Sequence, residues 1–193
     1  MTSSRVLWAA LMSAILVLPG GTASAQAVNA PPAQASGGPS AERKGFIVGI
    51  GVGVGLHRIP EAGVTGESLD RSAFALGPDF RIGYAPTDQF LIHYSAKAVF
   101  TQATDYDAVG ISGLGVTYMI RPRSPSFFVT GIAGEAGRAT VESSDFRDGH
   151  GFGVGAGYEF KRHWTVSGDA LFLRFGGDDN HTVLLATVGY LRY

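Results

Sequence analysis

Ionisable residues are sparse in this sequence, where Asp, Glu, Lys and Arg make up 16 % of 193 residues. Several are flanked on both sides by apolar or glycine residues, which places a charge within an otherwise apolar stretch. An isolated charge inside a protein is costly, so groups in such positions are expected to pair with one another. Eight residues form this candidate network: Asp79, Arg81, His93, Lys97, Glu135, Glu159, Asp169 and Arg192.

Catalytic chemistry is not predicted by the residue types and their spacing. The chain has no cysteine, which excludes disulfides, thiolate metal sites and a cysteine nucleophile. His93 and Ser95 share one face of a predicted strand, but that face is expected to point inward, and no such histidine–serine pair lies on an outward face. The glycines of 49–53 lie within a strand and no helix follows, so the geometry of a phosphate-binding loop is missing.

The predicted loops hold a second group of polar side chains: Asp145, Asp148, His150, Asp178, Asp179 and His181. Oxygen-rich loops suit Ca²⁺ or Mg²⁺. Acidic loop residues are more often simply solvated, and this spacing matches no metal-binding loop, so neither a metal nor a cofactor is predicted. Arg174 is expected at an outward position near the end of a strand, where it would contact lipid phosphate or snorkel.

These side chains must be positioned by β-strands, because hydrophobic residues alternate with a period of two from Gly45 onward. In 45–57 every second residue from Phe46 to Leu56 is large and apolar, and positions 49, 51, 53 and 55 on the other face are glycine. One large apolar face and one very small face suit a strand with lipid outside and a narrow lumen inside.

The same period predicts seven more strands, at 74–85, 89–100, 108–119, 126–138, 151–160, 164–175 and 182–193. Each has close to the 9–11 residues that a tilted strand needs to cross a bilayer. The first half of 108–119 and all of 126–138 have two possible phases. We place Phe128, Thr130 and Ile132 outward, because this phase turns Glu135 inward. The phase of 182–193 is predicted to put Arg192 inward and four residues outward: Val183, Leu185, Leu191 and Tyr193.

The connections alternate in length along the chain. Those at 86–88, 121–125 and 161–163 are tight, whereas those at 58–73, 101–107, 139–150 and 176–181 are longer and polar. Outer-membrane barrels have short turns on the periplasmic side and long loops outside. The alternation therefore predicts an all-β, eight-stranded, antiparallel up-and-down transmembrane β-barrel with both ends of the mature chain in the periplasm.

Aromatic residues are concentrated next to the short turns, where an interfacial girdle is expected. They are Tyr84, Phe90, Tyr118, Phe128, Tyr158, Phe160, Trp164 and Tyr193.

The first 44 residues are predicted to lie outside the barrel. Residues 1–25 have a basic residue, an apolar run and an Ala-Ser-Ala cleavage site, which is the pattern of a secretory signal peptide. Residues 26–44 are rich in Ala, Pro, Gly and Ser, and they are expected to form a flexible periplasmic linker. Residues 45–193 then form the barrel.

The segments FIVGIGVGVGL, GFGVGAGYEF and VLLATVGYLRY resemble the small eight-stranded outer-membrane barrels of the OmpA/OmpX-like superfamily. This resemblance covers Gly45 to Tyr193. It implies that Leu191 and Tyr193 form the C-terminal signal that the barrel-assembly machinery reads. It also implies a Gram-negative-type cell envelope, with outer-membrane lipid and lipopolysaccharide as surroundings.

The leading functional prediction is a non-enzymatic structural or surface protein of the cell envelope, whose outer loops bind an extracellular ligand. A formal net charge of −1 gives no reason to expect a nucleic-acid partner. The interior of an eight-stranded barrel is just wide enough to be filled by side chains, so the charged network is expected to hold the barrel shut. Two alternatives remain: a narrow channel for small solutes, in which this network opens, and a lipid A-modifying enzyme.

Overall fold

The alternating segments form β-strands in a computed structural model, which describes residues 43–60, 70–101, 107–140, 145–176 and 179–193. The strands are β1 (Gly45–Pro60), β2 (Asp70–Ala85), β3 (Phe90–Thr101), β4 (Asp107–Met119), β5 (Ser126–Thr140), β6 (Asp145–Lys161), β7 (Trp164–Arg174) and β8 (Asn180–Arg192). The described residues contain no helix that is long and apolar enough to cross a membrane.

The eight strands close into a barrel in which each strand pairs antiparallel with its neighbours in sequence, and β8 pairs with β1. This topology confirms the prediction of an up-and-down antiparallel barrel. Three short turns, at 86–89, 120–125 and 162–163, lie at one end, which we call the turn end. The opposite end is called the loop end. The segments 61–69, 102–106, 141–144 and 177–178 lie outside the described residues.

The strands are strongly tilted relative to the barrel axis. A row of directly paired residues that leaves β1 at Val48 passes round all the other strands and returns to β1 at Arg58, ten residues further along. A shift of this size across eight interstrand spacings corresponds to a tilt of about 40°. An apolar stretch of eleven residues then rises about 28 Å along the axis, close to the thickness of a bilayer core.

Four strands are longer than predicted by two residues or more: β1 and β2 have 16 residues, β5 has 15 and β6 has 17. The predicted loop 58–73 is therefore strand up to Pro60 and again from Asp70, and most of 139–150 is strand. Most residues of these extensions are polar, because the part of a strand that projects beyond the apolar outer wall does not need an apolar face. Alternation could not detect them.

The predicted phases of β5 and β8 are wrong. Phe128 and Ile132 are buried in the lumen, whereas Phe127 and Val129 are exposed on the outer wall. On β8 the lumen-facing residues are Val183, Leu185 and Leu191, while Leu184, Val188 and Tyr190 face outward. Both strands carry apolar residues on both faces, so the period of two does not decide which face is inside.

The lumen is packed with apolar side chains at two levels, which the prediction of a small and charged interior missed. Near the turn end lies a cluster of Ile47, Ala85, Leu91, Met119, Phe128 and Leu191. Towards the loop end lies a larger cluster of Ala75, Val99, Val109, Ile111, Ile132, Ala136, Leu171, Leu173, Phe175, Val183 and Leu185. Asp79, Arg81, Lys97 and Asp169 occupy the space between them.

Single cysteines test the corrected phase of β8, because the natural chain has none that would react in the background. We expect Leu184→Cys to react with a membrane-permeant maleimide and Leu185→Cys to be at least about tenfold slower, since one side chain faces outward and the other is buried in the lumen. Labelling rates of the folded protein in detergent, followed by mass spectrometry, provide the measurement. Equal rates in the folded state, or faster labelling at position 185, would contradict this phase.

Candidate functional site

Four charged side chains meet midway along the lumen. The Asp79 carboxylate accepts hydrogen bonds from Arg81 Nη2 at 2.7 Å and from Lys97 Nζ at 2.8 Å. Lys97 Nζ also donates to Asp169 Oδ2 at 3.2 Å, and the Ser167 hydroxyl donates to the same oxygen at 3.1 Å. Two cations and two carboxylates compensate one another, which is the condition for burying charge at tolerable cost. These four charged residues form the mid-lumen network.

Strand register brings this network together. Asp79 on β2 lies directly opposite Lys97 on β3, and Asp169 reaches them from β7 across the lumen. Arg81 lies directly opposite Ser95, and it pairs with Asp79 on its own strand. On the turn-end side of the network, a void of ≈ 20 Å³ is large enough for about one water molecule.

His93 belongs to a separate chain of hydrogen bonds. Its Nε2 lies 2.9 Å from the Thr117 hydroxyl, which lies 2.9 Å from the Thr130 hydroxyl on the next strand. Ser95, which the sequence places on the same face, forms no hydrogen bond with this imidazole. The two residues therefore do not form a base and nucleophile.

A second cluster closes the turn end. The Arg43 guanidinium forms a salt bridge with the Glu159 carboxylate, and both side chains are almost fully buried. The Tyr193 hydroxyl donates to Glu159 Oε1 at 2.6 Å, and the His163 backbone N–H donates to the same oxygen at 3.2 Å. Arg43 belongs to the segment predicted as a flexible linker, so that prediction is wrong at this residue.

A third cluster lies at the loop end. His57 Nε2 and His181 Nδ1 are 2.8 Å apart, and His181 Nε2 lies 2.8 Å from Asp179 Oδ1. Arg138 and Arg147 each approach the other oxygen of Asp179 at 3.6 Å. Both imidazoles are buried, whereas the sequence placed His181 in an open loop. Polar groups thus line the lumen at three levels with apolar clusters between them.

Two residues of the predicted network lie outside the lumen. Glu135 is exposed on the outer wall because the phase of β5 is opposite to the predicted one, and Arg192 is exposed for the same reason on β8. The other six, Asp79, Arg81, His93, Lys97, Glu159 and Asp169, face the lumen. No single hydrogen-bonded cluster joins them, since Glu159 is at the turn end and His93 is hydrogen-bonded to Thr117.

The loop residues considered for cation binding are not brought together. Asp148 and His150 are exposed on β6, and Asp179 is engaged with His181 and two arginines. Asp178 and the side chain of Asp145 lie outside the described residues. In the described part of the chain, no group of three or more His, Cys, Asp or Glu side chains has an arrangement that would hold a metal ion.

The corrected phase of β5 does place a serine, a carboxylate and a histidine together on the outer wall. Ser112, Glu135 and His150 are directly paired across β4, β5 and β6. A nucleophile relay requires the imidazole between the hydroxyl and the carboxylate. Here the carboxylate is in the middle, and no hydrogen bond within the described residues joins the three. This order does not activate Ser112.

The outer wall is a continuous apolar belt. At the turn end, aromatic side chains encircle the barrel, and we call this circle of residues the aromatic ring. Every strand contributes one exposed aromatic residue close to that end: Phe46, Tyr84, Phe90, Tyr118, Phe127, Phe160, Trp164 and Tyr190. Phe128 and Tyr193 were predicted in this ring but point into the lumen, so Phe127 and Tyr190 take their places. Tyr158, which was also predicted there, lies beside Phe127 on the outer wall, packs against its ring and is half-buried.

No family model and no curated protein matches the chain. Similar solved structures include Ail of Yersinia pestis, at 15 % identity and a TM-score of 0.49, over 77 % of this chain and 99 % of that one. Neisserial surface protein A has 15 % identity and a TM-score of 0.49, over 75 % and 96 %. The N-terminal β-barrel domain of Pseudomonas aeruginosa OprF has 15 % identity and a TM-score of 0.48, over 76 % and 97 %. The chain is a small eight-stranded antiparallel barrel.

Sequence reasoning missed Arg43 and His57 as parts of the barrel interior. Arg43 precedes the first alternating residue and stands in a polar, proline-rich context, so no periodic signal marks it. His57 lies within the predicted strand 45–57, two residues after Gly55 on the glycine face, and could have been assigned to the lumen by following that face to its next position. Its partner His181 could not be assigned to the lumen in this way, because the predicted phase of β8 was wrong.

Proposed function

We propose that the chain is an integral outer-membrane barrel with a closed lumen and a non-enzymatic, structural or surface role in the cell envelope. The observation that carries this proposal is the exposed apolar belt that surrounds a closed barrel. Phe, Leu, Ile and Val side chains on all eight strands are at least one-third exposed, which in water would be a very large apolar surface. A closed barrel satisfies every backbone group within lipid.

The aromatic ring and the short turns favour one orientation. In outer-membrane barrels short turns face the periplasm, so the turn end would lie there, together with the segment before β1 and Tyr193. The polar strand extensions and the loops within 58–73, 101–107, 139–150 and 176–181 would then project outside, where they are available to an extracellular ligand. Arg58 and Arg174, both exposed near the loop end, would meet lipopolysaccharide phosphates.

Targeting follows from the same proposal. Residues 1–25 would be removed as a signal peptide during export, and Leu191 and Tyr193 would be recognised by the assembly machinery before folding. In the folded barrel Leu191 is buried and Tyr193 is half-buried against Glu159. Recognition of these side chains would therefore precede barrel closure.

Closure of the lumen distinguishes this role from that of a channel. One apolar cluster fills the lumen between the mid-lumen network and the loop end, and the other fills it between the network and the turn end. A pore would require both apolar levels to open as well as the salt bridges to break. We expect planar bilayers containing the purified protein to show no single-channel steps across voltage and pH.

Heat-modifiable migration tests the location and the fold together. The protein from the outer-membrane fraction should migrate differently on SDS gels before and after boiling, because a closed barrel resists detergent until heated. Mass spectrometry of the band should find it without residues 1–25. A protein recovered only from the soluble periplasm, with no shift, would overturn the proposal, and altered lipid A acylation in cells that lack the protein would overturn its non-enzymatic part.

A further inference from the structure

At the turn end, the lumen encloses one planar cation, the Arg43 guanidinium, and we call the groups around it the receptor. Three groups of different chemistry surround the Arg43 guanidinium: the buried Glu159 carboxylate on one edge, two backbone carbonyls on another, and the Tyr193 ring over its face. Nη1 donates to Arg121 O at 2.7 Å and to Asp88 O at 3.2 Å, and the guanidinium carbon lies 5.8 Å from the ring centroid. Forked donors and a flat face are properties of guanidinium that ammonium lacks.

The walls of this receptor come from all three short turns and from the last residue of the chain. Asp88 belongs to the first turn, Arg121 to the second, and His163 of the third donates its backbone N–H to Glu159. The Arg43 backbone N–H also donates to Asp88 Oδ1 at 2.8 Å. One guanidinium therefore connects segments that are otherwise far apart in sequence.

The remaining contacts of Glu159 show that the receptor is built around its charge. Partial burial, and then the hydrogen bond and charge of Glu159, raise the pKa of Tyr193 to about 12. Its hydroxyl thus stays protonated and donates to the carboxylate over the whole physiological range. With Arg43 removed, Glu159 would keep the Tyr193 and His163 donors but no cation, and a buried carboxylate without a cation is strongly destabilising.

We propose that the turn-end mouth is a guanidinium-binding site, which Arg43 occupies from within the same chain and thereby fixes the three turns and the end of β8. A vacated site takes a free guanidinium compound in place of the side chain. The proposal does not rest on the role in the envelope, because the folded barrel can be studied in detergent wherever it resides in the cell.

Arg43→Ala is the first variant to measure. We expect the temperature at which the unboiled band is lost on SDS gels to fall by about 10 °C, since an orphaned buried charge costs several times a typical surface change. Arg123→Ala, which removes an exposed cation from the second turn, is the matched control and should change that temperature by no more than about 2 °C. The proposal would be overturned if the unboiled band of Arg43→Ala were lost at the same temperature as that of Arg123→Ala.

Rescue separates binding from a general loss of stability. Millimolar methylguanidinium should restore roughly half of the lost temperature shift in Arg43→Ala, and tetramethylammonium, which has the same charge but no N–H donors, should restore none. In Arg43→Ala/Glu159→Gln the buried charge is gone, so this double variant should be more stable than Arg43→Ala and indifferent to methylguanidinium. Equal rescue of both variants, or no rescue of either, would overturn the proposal.

The double variant also covers the case in which Arg43→Ala fails to fold. Because the destabilisation comes from the unpaired Glu159, Arg43→Ala/Glu159→Gln should then still give a heat-modifiable band. Failure of the double variant alongside the single one would show that Arg43 acts through its packing and not as the ligand of Glu159, which contradicts the assignment.

Discussion

Lys97→Met is expected to lower the free energy of unfolding by about 3–5 kcal/mol. Lys97 Nζ lies between two carboxylates, 2.8 Å from Asp79 and 3.2 Å from Asp169. Asp79 would retain Arg81, but Asp169 would retain only the Ser167 hydroxyl among the partners described here. Methionine fills similar volume without charge, so the loss reports the unpaired carboxylate rather than a cavity. Urea unfolding of the barrel in detergent micelles or vesicles provides the measurement.

Two further variants make this result specific to the mid-lumen network. Lys97→Met/Asp169→Asn removes the orphaned charge and leaves the Asp79–Arg81 pair, so it should be more stable than Lys97→Met alone. Lys161→Met removes an exposed lysine near the third turn and should stay within about 0.5 kcal/mol of the natural protein. A double variant no more stable than Lys97→Met would mean that the four charges do not form one compensated unit.

The mid-lumen network shows which contacts can be predicted from strand alternation and which cannot. Asp79 and Lys97 each interrupt an apolar strand that has a clear phase, and a tight turn joins the two strands, so their pairing follows from counting residues. Asp169 lies on β7, and three strands separate it from Lys97 on β3 along the chain. Its contact with Lys97 depends on barrel closure and tilt, which no local pattern specifies.

The wrong predictions for the phases of β5 and β8 have a different origin. β5 and β8 have apolar residues on both faces because their inner faces pack into the lumen clusters while their outer faces form the belt. Choosing the phase of β5 by requiring Glu135 to be inside gave the wrong answer, because Phe128 and Ile132 on the opposite face pack into the lumen and leave Glu135 on the outer wall. An eight-stranded lumen has limited room, and filling it with apolar side chains took precedence over enclosing every charge.

The polar extensions and Arg43 were unpredictable for a third reason. Alternation detects only those parts of a strand whose two sides face different surroundings. Beyond the belt both faces of β1 and β6 are polar or mixed, and before the belt Arg43 acts through single contacts of one side chain. Such features follow from tertiary geometry, which becomes visible only when the barrel is closed.

Leu114→Arg is expected to cost about 2–4 kcal/mol when the protein folds into phospholipid vesicles, because it puts a charge on the lipid-facing wall near the bilayer centre. Leu114 is 72 % exposed on β4 and lies about 10 Å along the barrel axis from the aromatic ring at Tyr118. The same substitution on a wall that faces water would change stability by no more than about 0.5 kcal/mol. Chemical unfolding of the vesicle-bound protein measures the difference.

Ser72→Arg is the matched control, because Ser72 is exposed on the part of β2 that extends beyond Phe74 at the loop end of the belt. The same side chain placed there would lie outside the hydrocarbon layer and should cost no more than about 1 kcal/mol. A large cost at position 114 with a small one at 72 requires a low-dielectric layer around the middle of the barrel. Equal and small costs at both positions would mean that the aromatic and aliphatic belt faces water, and the outer-membrane proposal would fail even though the barrel itself remained closed.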